Sequence, residues 1–127
     1  MAVTATNLWW GTSLEAPDPS ALATFYTRLL DWPIVHSEPG TAILKPPQDN
    51  VYMVIQQADG YVPPEWPPTT GAQRAMMHLD IQVVDLDVAV ADAVAIGARL
   101  ADFQPQDHVR VMFDPAGHPF CLCRDDG

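Results

Sequence analysis

Apolar residues recur at helical spacing in two stretches of the chain and alternate with polar ones through most of the remainder. Between residues 18 and 30, Leu22, Phe25, Tyr26 and Leu29 follow the i, i+3, i+4, i+7 spacing of a helix with one apolar face. Asp18 stands at the N-cap position and Pro19 at the first helical position, where its missing N–H costs nothing. Trp32-Pro33 ends the element, because a residue before proline is pushed out of the α region. A second helix is predicted over 86–96, with Asp85 as N-cap, Leu86, Val90 and Ala93 on one stripe, and Gly97 suited to the left-handed position after the last turn. It is short and rich in Ala and Val, so its stability must come from packing.

Each helix follows a strand-like run, 8–16 before the first and 77–84 before the second, and each precedes three more. These are 33–37, 41–45 and 51–57 in the first half, and 98–102, 108–113 and 118–123 in the second. Turn-forming residues separate them, among them Glu38-Pro39-Gly40, Pro46-Pro47-Gln48-Asp49-Asn50 and Asp114-Pro115-Ala116-Gly117. The order strand, helix, three strands therefore occurs twice, a repeat of elements rather than of letters. Asp18 aligns with Asp85 at an offset of 67 (85 − 18), and one extra residue in a later turn raises the expected offset to 68 for the last strand. Module one is placed at 7–57, a linker at 58–76 and module two at 77–124. The linker carries YVPPEWPPTTG, whose four prolines cannot donate to a sheet and favour extended backbone. Trp66 within it either buries its indole to pin the linker or forms a wall of a pocket.

Composition narrows the partners. With 127 residues, 48% of them hydrophobic and 17% charged, the chain is expected to fold as one domain over 1–127. Six basic against sixteen acidic residues leave a net charge of −10, the wrong sign for nucleic acid or an anionic membrane. No segment approaches the ~20 apolar residues of a membrane span, and residues 1–13 lack the pattern of a secretory leader, so a cytoplasmic protein is expected. Cys121 and Cys123, two apart on a predicted strand, are badly placed for a disulfide with each other and are expected as free thiols.

The stretch HLDIQVVDLDVAVADAVAIGARLADFQPQDHVRVMFDPAGHPFCL resembles the second module of glyoxalase-like proteins. It has a His-initiated strand, an Asp-capped helix, a Gly-Ala-Arg exit and a terminal D-P-x-G-[HN]-x-F strand. APDPSALATFYTRLLDW is similar to the first module's helix. The chain thus resembles the glyoxalase/bleomycin-resistance (vicinal oxygen chelate) superfamily along nearly its whole length. The resemblance implies an α+β fold of two βαβββ modules, each an open, strongly curved mixed sheet around a small-molecule cavity, and pairing into a homodimer. In metal-dependent relatives, His, Glu or Gln residues on the first and last strands of both modules hold a divalent cation. His78 stands at one such position. The others fall on Gly11, Met53 and Cys121, so a metal-independent protein without cofactor is expected. A soft site of His78, Cys121 and Met53 is the metal alternative these residues leave open.

Strand alternation groups the candidate site. His78, Asp80 and Gln82 share one side of their strand, while Leu79, Ile81 and Val83 face the helix. Gly11, Ser13 and Glu15 hold the equivalent side in module one. Met53, Ile55 and Gln57 are expected to face with Cys121 and Cys123. His78 and Asp80 could cooperate as a catalytic acid–base pair, although roughly 6–7 Å of strand separates them, or each could find its own partners. Arg110 either reaches a ligand carboxylate or phenolate or pairs with one of the many acids. His36, His108 and His118 lie beside turns and are expected at the surface. Trp9, Met53, Gln57, Trp66, Arg110, Met112 and Cys121 are the candidate ligand-binding residues, and Trp9, Trp66, Met53 and Met112 favour an apolar or aromatic ligand. The leading expectation is a small-molecule binding protein or cofactor-free enzyme. The alternatives are a metal-dependent lyase, isomerase or dioxygenase using Glu15, Gln56 or Gln57 with His78, and a drug-sequestering protein without turnover.

Overall fold

In the computed structural model, which describes residues 10–124, the chain divides into two compact units between Tyr61 and Val62. The first contains β1 (Trp10–Ala16), α1 (Pro19–Leu30), β2 (Ile34–Glu38), β3 (Thr41–Leu44) and β4 (Val51–Gln57). The second contains β5 (Leu79–Val83), α2 (Leu86–Ala95), β6 (Arg99–Leu100), β7 (Val109–Phe113) and β8 (Pro119–Arg124). Each unit forms an open four-stranded sheet, ordered β1-β4-β3-β2 in the first and β5-β8-β7-β6 in the second. The first and last strands of each unit pair in parallel and the remaining pairs are antiparallel. The architecture is α+β, and the element order is duplicated as the periodicity predicts.

Local chemistry fixes the helices. The Asp18 carboxylate accepts from the N–H groups of Ser20 at 3.1 Å and Ala21 at 3.3 Å, and Asp85 accepts from Val88 N at 3.1 Å. At the end of α2, Gly97 takes a φ of 120° and its N–H bonds Val94 O, while Ala98 N–H reaches back to Ala93 O at 2.9 Å. This is a Schellman-type exit, which needs a residue without Cβ at that place. Asp31 ends α1 in the left-handed region with φ 57°, and Thr27 Oγ1 donates to Trp32 O.

In the first unit, Leu22, Phe25 and Tyr26 of α1 are buried together with Ala16, Ala42, Leu44, Met53 and Ile55 of the sheet. Met53 and Ile55 therefore belong to the helix-covered face, which corrects the expected placement. Thr12 pairs with Met53 and Leu14 with Ile55, whereas the side of Gly11, Ser13 and Glu15 is continued on β4 by Tyr52, Val54 and Gln56. The assumed extra residue is the cause. Ser13 pairs with Val54 and Asp80 with Cys121, the same separation of 41 residues in both units (54 − 13 and 121 − 80), so the offset of 67 persists to the last strand. A slip of one exchanges the two faces.

The second unit buries apolar side chains on both faces of its sheet. Leu86 and Ala93 of α2 are buried, as are Met112, Phe120 and Leu122 on the face opposite Asp80 and Cys121. On the other face, called the open face below, Ala101, Val111, Phe113 and Cys121 form a buried cluster with Trp66, Val109 and Cys123 packed against it. The stretch expected as a linker belongs to this unit from Val62 onward. Glu65 N–H bonds Gln73 O at 2.7 Å, Gln73 Nε2 bonds Val62 O at 2.8 Å, and Glu65 bridges to Arg74, closing a loop that delivers Trp66 to the sheet.

Because Leu44 and Leu122 are within 1% of full burial and Ser13 is exposed, Leu44→Ala and Leu122→Ala are each expected to cost about 2–5 kcal/mol and Ser13→Ala less than about 0.5. Urea unfolding of the three variants checks this. Equal losses at Ser13 and Leu44 would mean that the faces of the first sheet are exchanged.

Candidate functional site

The parallel pairing of β5 with β8 sets Asp80 beside Cys121 and Gln82 beside Cys123. His78 enters this group from the residue just before β5. Its Nε2 lies 3.1 Å from Asp80 Oδ1, although the sequence spacing alone leaves the two 6–7 Å apart along the strand. Both side chains lean toward each other from partly solvated positions, with 48% of His78 and 66% of Asp80 exposed. One ligating atom from each of His78, Asp80 and Cys121 lies within 4.8 Å of the other two.

Cys121 is buried, and its thiol is pushed up to about 11. Burial is the largest cause, followed by the negative charge of Asp80, by Cys123 and by a hydrogen bond with Asp80. Cys123 is shifted upward as well, by burial first and then by Asp80. Both thiols are free and protonated at neutral pH, so neither is an activated nucleophile in this state.

An aromatic wall adjoins this group. Trp66 stacks on Phe103, with ring centroids 5.7 Å apart and planes inclined by 25°. The loop bearing Phe103 is clamped by Gln104, whose side-chain amide acts as a substitute strand residue. Its Nε2 donates to Ala101 O and Val111 O, and its Oε1 accepts from Val111 N, each at 2.9 Å. Arg99 lies with its guanidinium carbon 4.4 Å from the centre of the Phe113 ring. Trp66, Arg99 and Phe113 line a shallow cleft of about 280 Å³ together with Pro63, Pro64, Glu65, Pro67 and Gly117. Arg99 was not singled out by the sequence reading. Its signal was its place on β6 opposite Phe113, two residues past the helix exit.

The sequence-predicted residues separate into two groups. The structure brings His78, Asp80, Cys121 and Trp66 to one face of one sheet. Met53, 3% exposed, and Met112, fully buried, sit in helix-covered cores instead and do not line that face. Arg110 shares the side of Leu122, away from the open face, and its Nη1 donates to the carbonyls of Gln106, Asp107 and Val109 rather than to an acid among the described residues. Gln57 ends β4 and lines a groove of about 450 Å³ beside the start of α1. Trp9 lies outside the described residues. His36 and His108 are exposed as expected, His36 with Glu38 at 3.5 Å.

His118 is a correction. Its side chain is only 17% exposed and its Nδ1 lies 2.8 Å from Asp114 Oδ2. The Asp114 carboxylate is fully buried and also accepts from Ala116 N at 2.9 Å and His118 N at 3.0 Å. Those donors meet the cost of burying the carboxylate. The D-P-A-G-H segment is thus a self-satisfied turn, and its histidine belongs to the scaffold.

Of the donor positions implied by the resemblance, those in module one carry no metal-binding side chain. Gly11 offers no side chain, and a Cβ built there would overlap the Tyr52 ring. Its neighbours on that face of β4 are Tyr52, Val54 and Gln56, and Met53 points away. Module two retains His78 and Cys121 and adds Asp80, a residue that the count of four positions leaves out.

Gly117 ties the turn to the Trp66 loop. Its φ is 95°, and a Cβ there would stand 2.7 Å from Pro63 Cβ. Gly117→Ala is therefore expected to cost about 1–2 kcal/mol from backbone conformation alone and to loosen the loop. Thermal unfolding combined with a red shift of Trp66 emission, measured with the other tryptophans replaced by Phe, checks both effects. An unshifted emission would mean that the loop is held without this contact.

A family model described as a glyoxalase-like domain matches residues 11–123. Among solved structures, a glyoxalase/bleomycin resistance protein/dioxygenase family enzyme from Burkholderia phytofirmans PsJN is 18% identical, with a TM-score of 0.67, covering 90% of this chain and 95% of that one. A glyoxalase-related enzyme from Fulvimarina pelagi is also 18% identical, with a TM-score of 0.67, covering 93% and 88%. The fosfomycin resistance protein FosX from Mesorhizobium loti is 13% identical, with a TM-score of 0.66, covering 96% and 94%. No curated protein matches the sequence significantly. With the family model spanning nearly all of the described residues and the duplicated strand–helix–strand order in place, the chain belongs to the glyoxalase-like domain family of the vicinal oxygen chelate superfamily.

Proposed function

We propose that this protein binds an apolar, aromatic small molecule on the open face of the second unit's sheet, without the family's two-module metal centre. The observation that carries this reading is the joining, on one face, of an aromatic wall and an exposed His78–Asp80 pair. Trp66 offers a flat surface at the margin of the cleft, and the cleft volume of about 280 Å³ suits a ligand of one or two fused rings. Among the described residues Arg99 makes neither a hydrogen bond nor an ion pair, so its guanidinium is available to an oxyanion on the ligand. His78 and Asp80, with Nε2 and Oδ1 3.1 Å apart, supply a close imidazole–carboxylate pair able to accept or return a proton. In this reading the metal-free protein is an enzyme or a binding protein. A sequestering protein would use the same wall and leave the ligand unchanged.

The test uses 2-naphthol as probe, added to metal-free protein. Fluorescence titration is expected to show binding that weakens at least tenfold, or about 1.4 kcal/mol, in Trp66→Ala. The variant is expected to melt lower, because the indole packs on the open-face cluster, so circular dichroism first establishes that it is folded at the titration temperature. Undiminished binding in Trp66→Ala would remove the aromatic wall from the site. Chromatographic recovery of candidate ligands after prolonged incubation separates turnover from sequestration, with turnover expected to fall in His78→Ala.

A homodimer belongs to the same reading. Ile34 and Val35 on strand β2, and Val88 and Val94 along α2, are exposed apolar side chains of the kind a second copy covers. Light scattering at micromolar concentration is expected to give twice the chain mass, and a monomer throughout that range would refute the pairing.

A further inference from the structure

We propose that module two by itself forms a zinc-type cation site, with His78 nitrogen, Asp80 carboxylate and Cys121 sulfur as three protein ligands and a fourth position open to solvent. This goes beyond the ligand reading above and is independent of its aromatic wall, but it shares His78 and Asp80 with it, and an ion held there replaces their proton exchange. The geometry that carries it is the convergence of three chemically different donors, one atom of each within 4.8 Å of the others. Tetrahedral zinc holds nitrogen and oxygen at about 2.0–2.2 Å and sulfur at about 2.3 Å. Ligand atoms around it are then roughly 3.3–3.8 Å apart, by the same bond lengths. His78 Nε2 and Asp80 Oδ1 at 3.1 Å are already close to that spacing.

The parts have different mobility, which suits capture of an ion. Cys121 is fixed, because β8 is paired on both sides and the residue is buried in the open-face cluster. Asp80 is its direct partner on the neighbouring strand, so register rather than chance places the carboxylate beside the sulfur. His78 and Asp80 are the more exposed members and can close on an ion by side-chain rotation alone. The exposed side of the pair leaves room for water as fourth ligand, the arrangement of catalytic rather than structural zinc.

Donor type sets the metal. One thiolate, one imidazole and one carboxylate favour zinc, and cobalt as its substitute, over manganese, magnesium or calcium, which prefer all-oxygen shells. At the place equivalent to His78, module one holds Gly11 under the Tyr52 ring, and at that of Cys121 it holds Val54. The proposed centre draws its three donors from module two and contains sulfur, unlike the two-module arrangement that the resemblance implies.

The experiment uses the full chain, freed of metal with EDTA and dialysed. Added Co2+ is expected to produce a sulfur-to-cobalt charge-transfer band together with the intense visible bands of four-coordinate cobalt, both displaced by one equivalent of Zn2+. Cys121→Ser is expected to abolish the charge-transfer band and to weaken Zn2+ at least a hundredfold in competition with a chromophoric chelator. Asp80→Asn is expected to weaken it about tenfold, and Cys123→Ser to keep the band. Mn2+ at the same concentrations is expected to compete poorly. Should Cys121→Ser fail to fold, protection of Cys121 from iodoacetamide by Zn2+ in the unaltered protein, lost in His78→Ala, gives the same answer. Weak pink octahedral cobalt without charge transfer, a band that survives Cys121→Ser, or Mn2+ binding as tight as Zn2+ would each overturn the proposal. Loss of 2-naphthol binding in metal-free protein would instead count against the ligand reading alone.

Discussion

Parallel pairing between the first and last strand of a unit decides what every other residue on its sheet can do. In the second unit it sets Leu79 beside Phe120 and Ile81 beside Leu122 on the helix-covered face, and Asp80 beside Cys121 on the other. A strand presents alternate residues to opposite sides, so once one pair is set the whole face follows. The chemistry-bearing face is then a by-product of core formation. Phe120, Leu122 and Met112 must be buried, and that obligation aims Cys121, Val111 and Asp80 the other way.

Two small devices hold that face in shape. The buried Asp114 carboxylate gathers backbone N–H groups and the His118 ring, fixing the turn between β7 and β8. Gln104 lends its side-chain amide to the edge of β7, where the two-residue β6 has already ended. Each is a polar group whose hydrogen bonds replace backbone pairing, and each supports the margin where Trp66 and Phe103 stack.

The sequence was legible where physics is local. Helix starts at Asp18 and Asp85, the exit at Gly97 and the bounds of β4 follow from capping, glycine conformation and alternation, and the structure reproduces them. The His78 side of β5 was legible for the same reason. Register across the first sheet was not, because a single assumed insertion in a turn moved Met53 to the wrong face. His118 was misread because its partner is four residues away in a turn whose closure cannot be seen from residue type. Arg99 and Gln104 were missed because their roles exist only once β7 folds back beside them and brings Phe113 and Val111 within reach. Position 80 was read as an acid–base partner for His78. Its approach to Cys121 depends on strand register.

The Tyr52 ring over Gly11 makes the two halves of this duplicated chain unequal in what change they can accept. A donor side chain introduced at position 11 meets the ring at once, while shrinking Tyr52 alone uncovers a glycine with nothing to offer. A symmetrical ligand set therefore requires changes at positions 11, 52 and 54 together, since Val54 stands where Cys121 stands in the second unit. A single substitution in the first unit therefore adds no matching site, whereas the second unit already holds three donor side chains together.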